Sequence, residues 1–375
     1  MRSLHVVAAV ACAALAQLGV SAFQAAPDYQ ERDFLTRTRR ITVDGRRSGE
    51  GYFNADGSRM VFQSERDASN PWYEIFTLDL GTGDVKRVSP GIGKTTCSYF
   101  RPGSDEILFS STHHDPKSRQ YMDEEIAFRK SGQQRRYSWD YDPEMDIYVT
   151  SEKTGALKRL TTAKGYDAES AYSPDGQYII FTSMRDAYNR TLNATETTAL
   201  ERDPSLFAEI YIMKADGTGQ KRLTTEWGYD GGPFFTHDGQ RIVWRHFDET
   251  GLYADIWTMK LDGTDQRQIT SFGSMSWSPF AHPSGQYFIF SSNKLGFENF
   301  ELFIVDTAGT KEPVRVTYTD GFDSLPVYSP DGRQLSWTST RNGGGEGQIF
   351  MAQWNHDKAL EALRNAPPRK VSPRK

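Results

Sequence analysis

A stretch of about a dozen residues returns along the chain, and no other feature restricts the possible fold so tightly. Its clearest copy is Tyr172-Ser173-Pro174-Asp175-Gly176-Gln177-Tyr178-Ile179-Ile180-Phe181-Thr182-Ser183. Degraded copies run from Tyr52 to Ser64, Tyr99 to Ser111, Phe234 to His246, Phe280 to Ser292 and Val327 to Ser339. Aligned on the turn residue they fall at 56, 103, 175, 238, 284 and 331, with spacings of 47, 72, 63, 46 and 47. A unit of roughly 45 residues carrying two insertions is the period of propeller arrays, in which each repeat is one four-stranded blade. The expected fold is all-β: a six-bladed β-propeller of four-stranded antiparallel blades.

One unit, Gly232 to Thr270, shows how the strands are laid out. Pro233–Thr236 reads as a first strand, His237-Asp238-Gly239 as a turn and Gln240–Arg245 as a second strand. Asp255–Lys260 alternates like a third strand. Asp262-Gly263 then marks a hairpin that needs positive φ, hence glycine. Arg267–Thr270 is the short outer strand. The sixth copy stops after Trp354 without an outer strand, and Arg39-Arg40-Ile41-Thr42 supplies the missing piece at the other end. An N-terminal strand is therefore expected to complete the last blade and remove an exposed edge. This divides the chain into 1–22, a leader; 23–38, an extension; 39–354, the propeller; and 355–375, a helix and basic tail.

The Ser-Pro-Asp-Gly turns at 173–176 and 329–332, the Asp-Gly-Thr hairpins at 216 and 262, and the Arg-Leu-Thr outer strands at 159 and 222 resemble TolB-type (WD40-like, PD40) propeller repeats. The resemblance covers Thr36 to Trp354 and implies an exported TolB-like propeller. TolB itself carries a further N-terminal domain, whereas only Phe23 to Thr38 precede the first strand here.

Export is also read from the residues. Arg2, the apolar run Val6–Leu18 and Val20-Ser21-Ala22 have the order of a cleavable leader, with a cut after Ala22. The expected location is periplasmic or secreted, with no transmembrane segment in the mature chain, which is taken as a monomer. Removal of the leader takes Cys12 with it and leaves Cys97 alone, so no internal disulfide can form. A net charge of -5 gives none of the basic excess of a nucleic-acid binder.

Both insertions, about 113–143 in blade two and 186–207 in blade three, fall between second and third strands. They therefore extend one face, and long loops on a rigid scaffold are where function concentrates. The run Arg135, Arg136, Tyr137, Trp139 and Tyr141 has the residue types of a recognition surface. Asp167, Asp230 and Asp323 stand at equivalent places before the first strands, where the other blades have Ser48, Thr95 and Ser276. Ringing the tunnel mouth, they could hold a cation such as Ca²⁺, with Glu169 beside them. The alternative is that each accepts N–H bonds at a strand entrance. An acid heading each third strand and a cation following the second strands (Arg66, Arg185, Lys294, Arg341) suggest pairing within blades.

No Gly-x-Ser-x-Gly elbow occurs, and 21 residues after Trp354 are too few for a hydrolase domain. The reading is a non-catalytic exported propeller. It binds a protein, peptide or envelope polymer through the inserted-loop face and tunnel mouth. The alternative is a metal-dependent polysaccharide lyase or hydrolase using His113, His114 and His246, with His246 expected close to His113.

Overall fold

The Asp-Gly turns and alternating strands of the repeat build six sheets of four antiparallel strands. This is the architecture of the computed structural model, which describes residues 30–133, 140–341 and 346–370. The leader and Arg135, Arg136, Tyr137 and Trp139 lie outside the described residues. The innermost strands are Ser48–Phe53, Thr95–Phe100, Asp167–Tyr172, Tyr229–Phe235, Ser276–Ala281 and Asp323–Tyr328, one per blade.

The blades pack through one recurrent aromatic position on the second strands. Phe62, Phe109, Phe181, Trp244, Phe290 and Trp337 occupy it, and all are almost fully buried. Burying each such ring is worth on the order of 2–3 kcal/mol before conformational entropy is counted.

Closure is achieved from the N-terminal side. Leu35–Arg40 pairs antiparallel with Gln348–Trp354, Leu35 facing Trp354 and Arg40 facing Phe350. The strand begins four residues earlier than the Arg39 start expected from the repeat. The anchors explain why: Leu35 is 1% exposed, and the Phe34 ring stacks on Trp354 at 5.9 Å. Thr42, expected within the strand, instead hydrogen-bonds Gln348 Oε1 through its hydroxyl at 2.8 Å.

The charged pairs within blades differ from the sequence expectation in their partners. In four blades the acid at the head of the third strand meets the arginine of the outer strand, while in blade four Asp255 meets Gln268 at 2.8 Å. Glu74 lies 3.1 Å from Arg87 and Glu301 lies 2.6 Å from Arg315, and the Asp146–Arg159 and Glu209–Arg222 pairs repeat this. The outer-strand threonine adds a second bond, as Thr161 does to Asp146 at 2.9 Å. This explains the Arg-x-Thr outer strands: they tie the weakest strand of each blade to its neighbour. Of the cations after the second strands, Arg185 and Arg341 instead reach the first-strand aspartates Asp167 and Asp323, at 2.6 and 2.7 Å.

The insertions fold into short helices: α1 (Ser118–Lys130) in blade two, and α2 (Asp186–Asn189) and α3 (Ala194–Arg202) in blade three. After the propeller, α4 (His356–Asn365) is capped by Asn355, whose side chain accepts the Lys358 N–H at 3.2 Å. The basic tail that follows is pinned as far as Lys370. Arg369 donates to Ile269 O at 2.6 Å, and the Lys370 N–H donates to Glu312 at 2.6 Å. Among the described residues no helix is long and apolar enough to cross a membrane.

Candidate functional site

Every innermost strand breaks its register once, between Gly49 and Tyr52 in blade one and at the equivalent place in the other five. The residue at each break adopts left-handed backbone: Glu50 (φ 51°), Cys97 (52°), Glu169 (54°), Gly232 (56°), Ser278 (47°) and Leu325 (55°). For a residue with a Cβ this costs on the order of 1 kcal/mol. Ladder bonds on both sides hold it in place. All six residues line one cavity of about 860 Å³ at the centre of the propeller. That volume is in the range of small-molecule and peptide sites.

Two residues further along each strand, the chain closes the tunnel. Tyr52, Tyr99, Phe234, Phe280 and Val327 gather there. Tyr52 lies 5.3 Å from Tyr99 and 5.6 Å from Phe234, and Phe234 lies 5.2 Å from Phe280. The cavity is thus a bowl with an aromatic floor and a ring of strained residues for its wall.

Its charges are concentrated on one side. Arg245 donates to Glu169 Oε1 at 2.9 Å and to the Tyr229 hydroxyl at 2.7 Å. Glu169 also accepts the Gly232 N–H at 2.6 Å, the Thr182 hydroxyl at 3.1 Å and the Tyr229 hydroxyl. Gly232 makes this possible. A Cβ there would sit 2.0 Å from Arg245 Nη1. The Arg245 guanidinium further packs over the Tyr229 ring at 4.8 Å and the Trp277 ring at 5.4 Å.

Across the bowl, Glu50 is 8% exposed, and the neutral side chains of Cys97 and Gln63 hydrogen-bond its carboxyl. Burial, reinforced by repulsion from Glu169, raises its carboxyl from 4.5 to about 7. The Cys97 thiol is pushed well up by burial and by the same carboxylates, which makes it inert rather than nucleophilic. Gln63 fixes this corner by accepting the Thr96 hydroxyl at 2.7 Å and the Cys97 N–H at 3.3 Å.

Both insertions reach the rim. Glu125 and Arg129 of α1, Asp140 and Tyr141 behind it, and Asp203, Ser205 and Leu206 of the blade-three insertion all line the opening. Tyr141, part of the run singled out for recognition, meets Tyr166 and Tyr229 edge-on at 5.5 and 5.8 Å. Lys94 is held at the rim by Asp142 at 2.7 Å and by Asp140.

The three aspartates are placed at the strand entrances as the repeat implies, but they are not brought together. Each is buried and engaged inside its own blade. Asp167 takes Ser183 Oγ at 2.5 Å and Arg185 at 2.6 Å. Asp230 takes Trp244 Nε1 and His246 Nδ1, both at 2.8 Å. Asp323 takes Trp337 Nε1 at 3.1 Å and Arg341 at 2.7 Å. The partners are mainly side chains of the adjacent second strand, rather than the backbone N–H groups weighed as the alternative to a cation.

The His113 and His114 rings lie edge-on at 6.3 Å, but the three histidines do not form one cluster. His113 packs 4.3 Å from the Tyr148 ring, and burial lowers it to about 4. His114 shares a 2.8 Å bond with the Tyr148 hydroxyl and lies 3.3 Å from Asp146. His246 belongs to Asp230 in blade four. Equivalent strand positions in blades two and four have a whole blade between them, so His246 is not grouped with His113. Among the described residues, no three His, Cys, Asp or Glu side chains are arranged to hold a metal ion.

Sequence reasoning missed the ring of left-handed residues, apart from noting Glu169. Its signal was present: positions 50, 97, 169, 232, 278 and 325 share one offset in the repeat. They carry chemically unlike residues, however, so the pattern that marks the fold does not mark them.

No family model matches the chain. A curated TolB homolog of Chlorobium luteolum is 24% identical over a segment covering 26% of this chain and 28% of that protein, so the match spans under a third of the relative's length. The crystal structure of TolB from Acinetobacter baumannii aligns with a TM-score of 0.54 at 18% identity, over 81% of this chain and 65% of that one. An oligogalacturonate lyase from Vibrio parahaemolyticus aligns with a TM-score of 0.51 at 11% identity, over 86% and 94%. The fold is a TolB-like six-bladed β-propeller.

Proposed function

We propose that this chain is an exported, non-catalytic binding propeller that receives a protein, peptide or envelope polymer in the central bowl, with the inserted loops as its rim. The observation that carries this reading is the convergence of both off-period insertions on the opening of one large aromatic-floored cavity. Insertions are costly to order, and two of them at the same opening favour a selected contact surface. Aromatic and arginine side chains at such an opening are the usual anchors of recognition. The run Arg135, Arg136, Tyr137 and Trp139 adjoins Tyr141 in sequence and belongs to the same proposed surface. Periplasmic or extracellular residence follows from the leader, and the bound partner would be met there.

The test is replacement of residues 118–140 by a short Gly-Ser linker. Binding to an immobilised peptide array and to purified envelope polymer is then measured beside the far-UV spectrum and melting curve. Binding should be lost while the fold persists. Unchanged binding overturns the reading. So does cleavage of the polymer that depends on added Mn²⁺ and disappears in His113→Ala, which would establish the lyase alternative.

A further inference from the structure

We propose that the central bowl recognises a protonated primary amine, held by the Glu50 carboxylate above the aromatic floor. This deepens the binding reading and rests on it.

Once Glu50 is ionised, the charges on the wall of the bowl do not balance without such a group. Two carboxylates, Glu50 and Glu169, face one guanidinium, Arg245, and Arg245 is committed to Glu169 at 2.9 Å. The cations of the rim are committed as well: Arg47 to Glu65 at 2.7 Å, Lys94 to Asp142 at 2.7 Å and Arg129 to Glu125 at 2.8 Å. Glu50 is left 8% exposed with a thiol and an amide for company. A buried carboxylate without a counter-ion is costly, and a ligand cation is what would offset it.

The surroundings select among cations. A multivalent metal needs several oxygen ligands, but the Glu169 oxygens are already filled by Arg245, Tyr229, Thr182 and Gly232. A guanidinium requires both carboxylate oxygens in a planar fork, and Cys97 and Gln63 already bond the Glu50 carboxyl. A primary ammonium is a compact charge with three rotatable donors, which suits a single partly occupied carboxylate. The Tyr52 ring, two residues along the same strand, and Phe234 beside it at 5.6 Å offer aromatic faces to that charge.

Ionisation supplies a signature. Glu50 is raised by its burial and by Glu169, and opposed by the Cys97 and Gln63 hydrogen bonds and by Arg245. Tyr52 and Cys97, both raised, stay neutral across this range. An ammonium ion binds the carboxylate form, so affinity should rise as pH goes from 6 to 8, with a proton released on binding.

The experiment compares n-butylamine with 1-butanol, similar in shape and different in charge, by titration calorimetry and intrinsic tryptophan fluorescence on the full chain at pH 6, 7 and 8. The amine should bind several-fold more tightly at pH 8 than at pH 6, and at least tenfold more tightly than the alcohol. Glu50→Gln, checked for folding by its melting curve, should lose that preference. The pH series on the parent protein stands by itself if the variant fails to fold. Equal binding of amine and alcohol, or amine binding that Glu50→Gln leaves unchanged, overturns the amine inference while keeping the bowl as a ligand site. If neither probe reaches the bowl although residues 118–140 are still needed for peptide or polymer capture, the amine inference falls alone. If that capture is absent too, both readings fall.

Discussion

Replacing Glu50 with glutamine should stabilise the protein, and the gain should depend on pH in a defined way. Burial and the Glu169 carboxylate raise Glu50 from 4.5 to about 7. At about 1.36 kcal/mol per unit, this difference is worth about 3 kcal/mol. In the unfolded chain the group ionises near 4.5, and in the folded chain near 7. Its contribution to stability is therefore intact below pH 4.5, is lost as pH rises through 7, and stays lost above that. Glutamine keeps the size and the polar contacts toward Cys97 and Gln63 without acquiring charge. Parent and Glu50→Gln proteins should thus melt alike at pH 4.5 and differ by about 3 kcal/mol at pH 8. With an unfolding entropy of ~2.1 cal/mol/K per residue, a propeller of this size should gain roughly 5 °C at pH 8. Scanning calorimetry at several pH values measures this directly. A difference that stays constant with pH, or a variant less stable than the parent at pH 8, would refute the reasoning, because it would mean that folded Glu50 is ionised and compensated.

The opposite side of the bowl should respond in the opposite sense. Arg245→Met leaves the buried Glu169 carboxylate without its guanidinium and should cost about 3–5 kcal/mol in urea unfolding. Adding Glu169→Gln should recover most of that loss, and two independent, additive effects would contradict the pairing. Gly232→Ala places a Cβ 2.0 Å from Arg245 Nη1 at a φ of 56°. It should lower stability by at least about 1 kcal/mol from the backbone alone, and an unchanged melting temperature would contradict both that cost and the clash with the guanidinium.

Much of the architecture was legible because it repeats. The Asp-Gly turns, the alternating third strands and the period of roughly 45 residues each state a local requirement, and six statements of it leave one fold. The closing strand was legible as a missing outer strand. Its start was not, because Phe34 and Leu35 earn their place by packing on Trp354, a contact some 320 residues away in sequence. The Arg-x-Thr outer strands were read correctly as strands, but the third-strand acids were assigned to the cations after the second strands. Strand register, which the sequence does not state, brings Arg87 to Glu74 and Arg315 to Glu301.

The site divides along the same line. That the two insertions share a face followed from strand order alone, and they do meet at one opening. The aspartates at 167, 230 and 323 and the histidines at 113, 114 and 246 stood out because of their residue types, yet each is engaged where it stands. The left-handed residues that ring the bowl come from six strands, one residue apiece, and become neighbours only when the ring closes. The sequence by itself determined the blade, its number and its closure, since these depend on local pattern repeated along the chain. The tertiary structure alone decided which carboxylate keeps its counter-ion. Glu50 and Glu169 are 119 positions apart in the sequence, yet they share one buried volume in which the Arg245 guanidinium is already taken by Glu169.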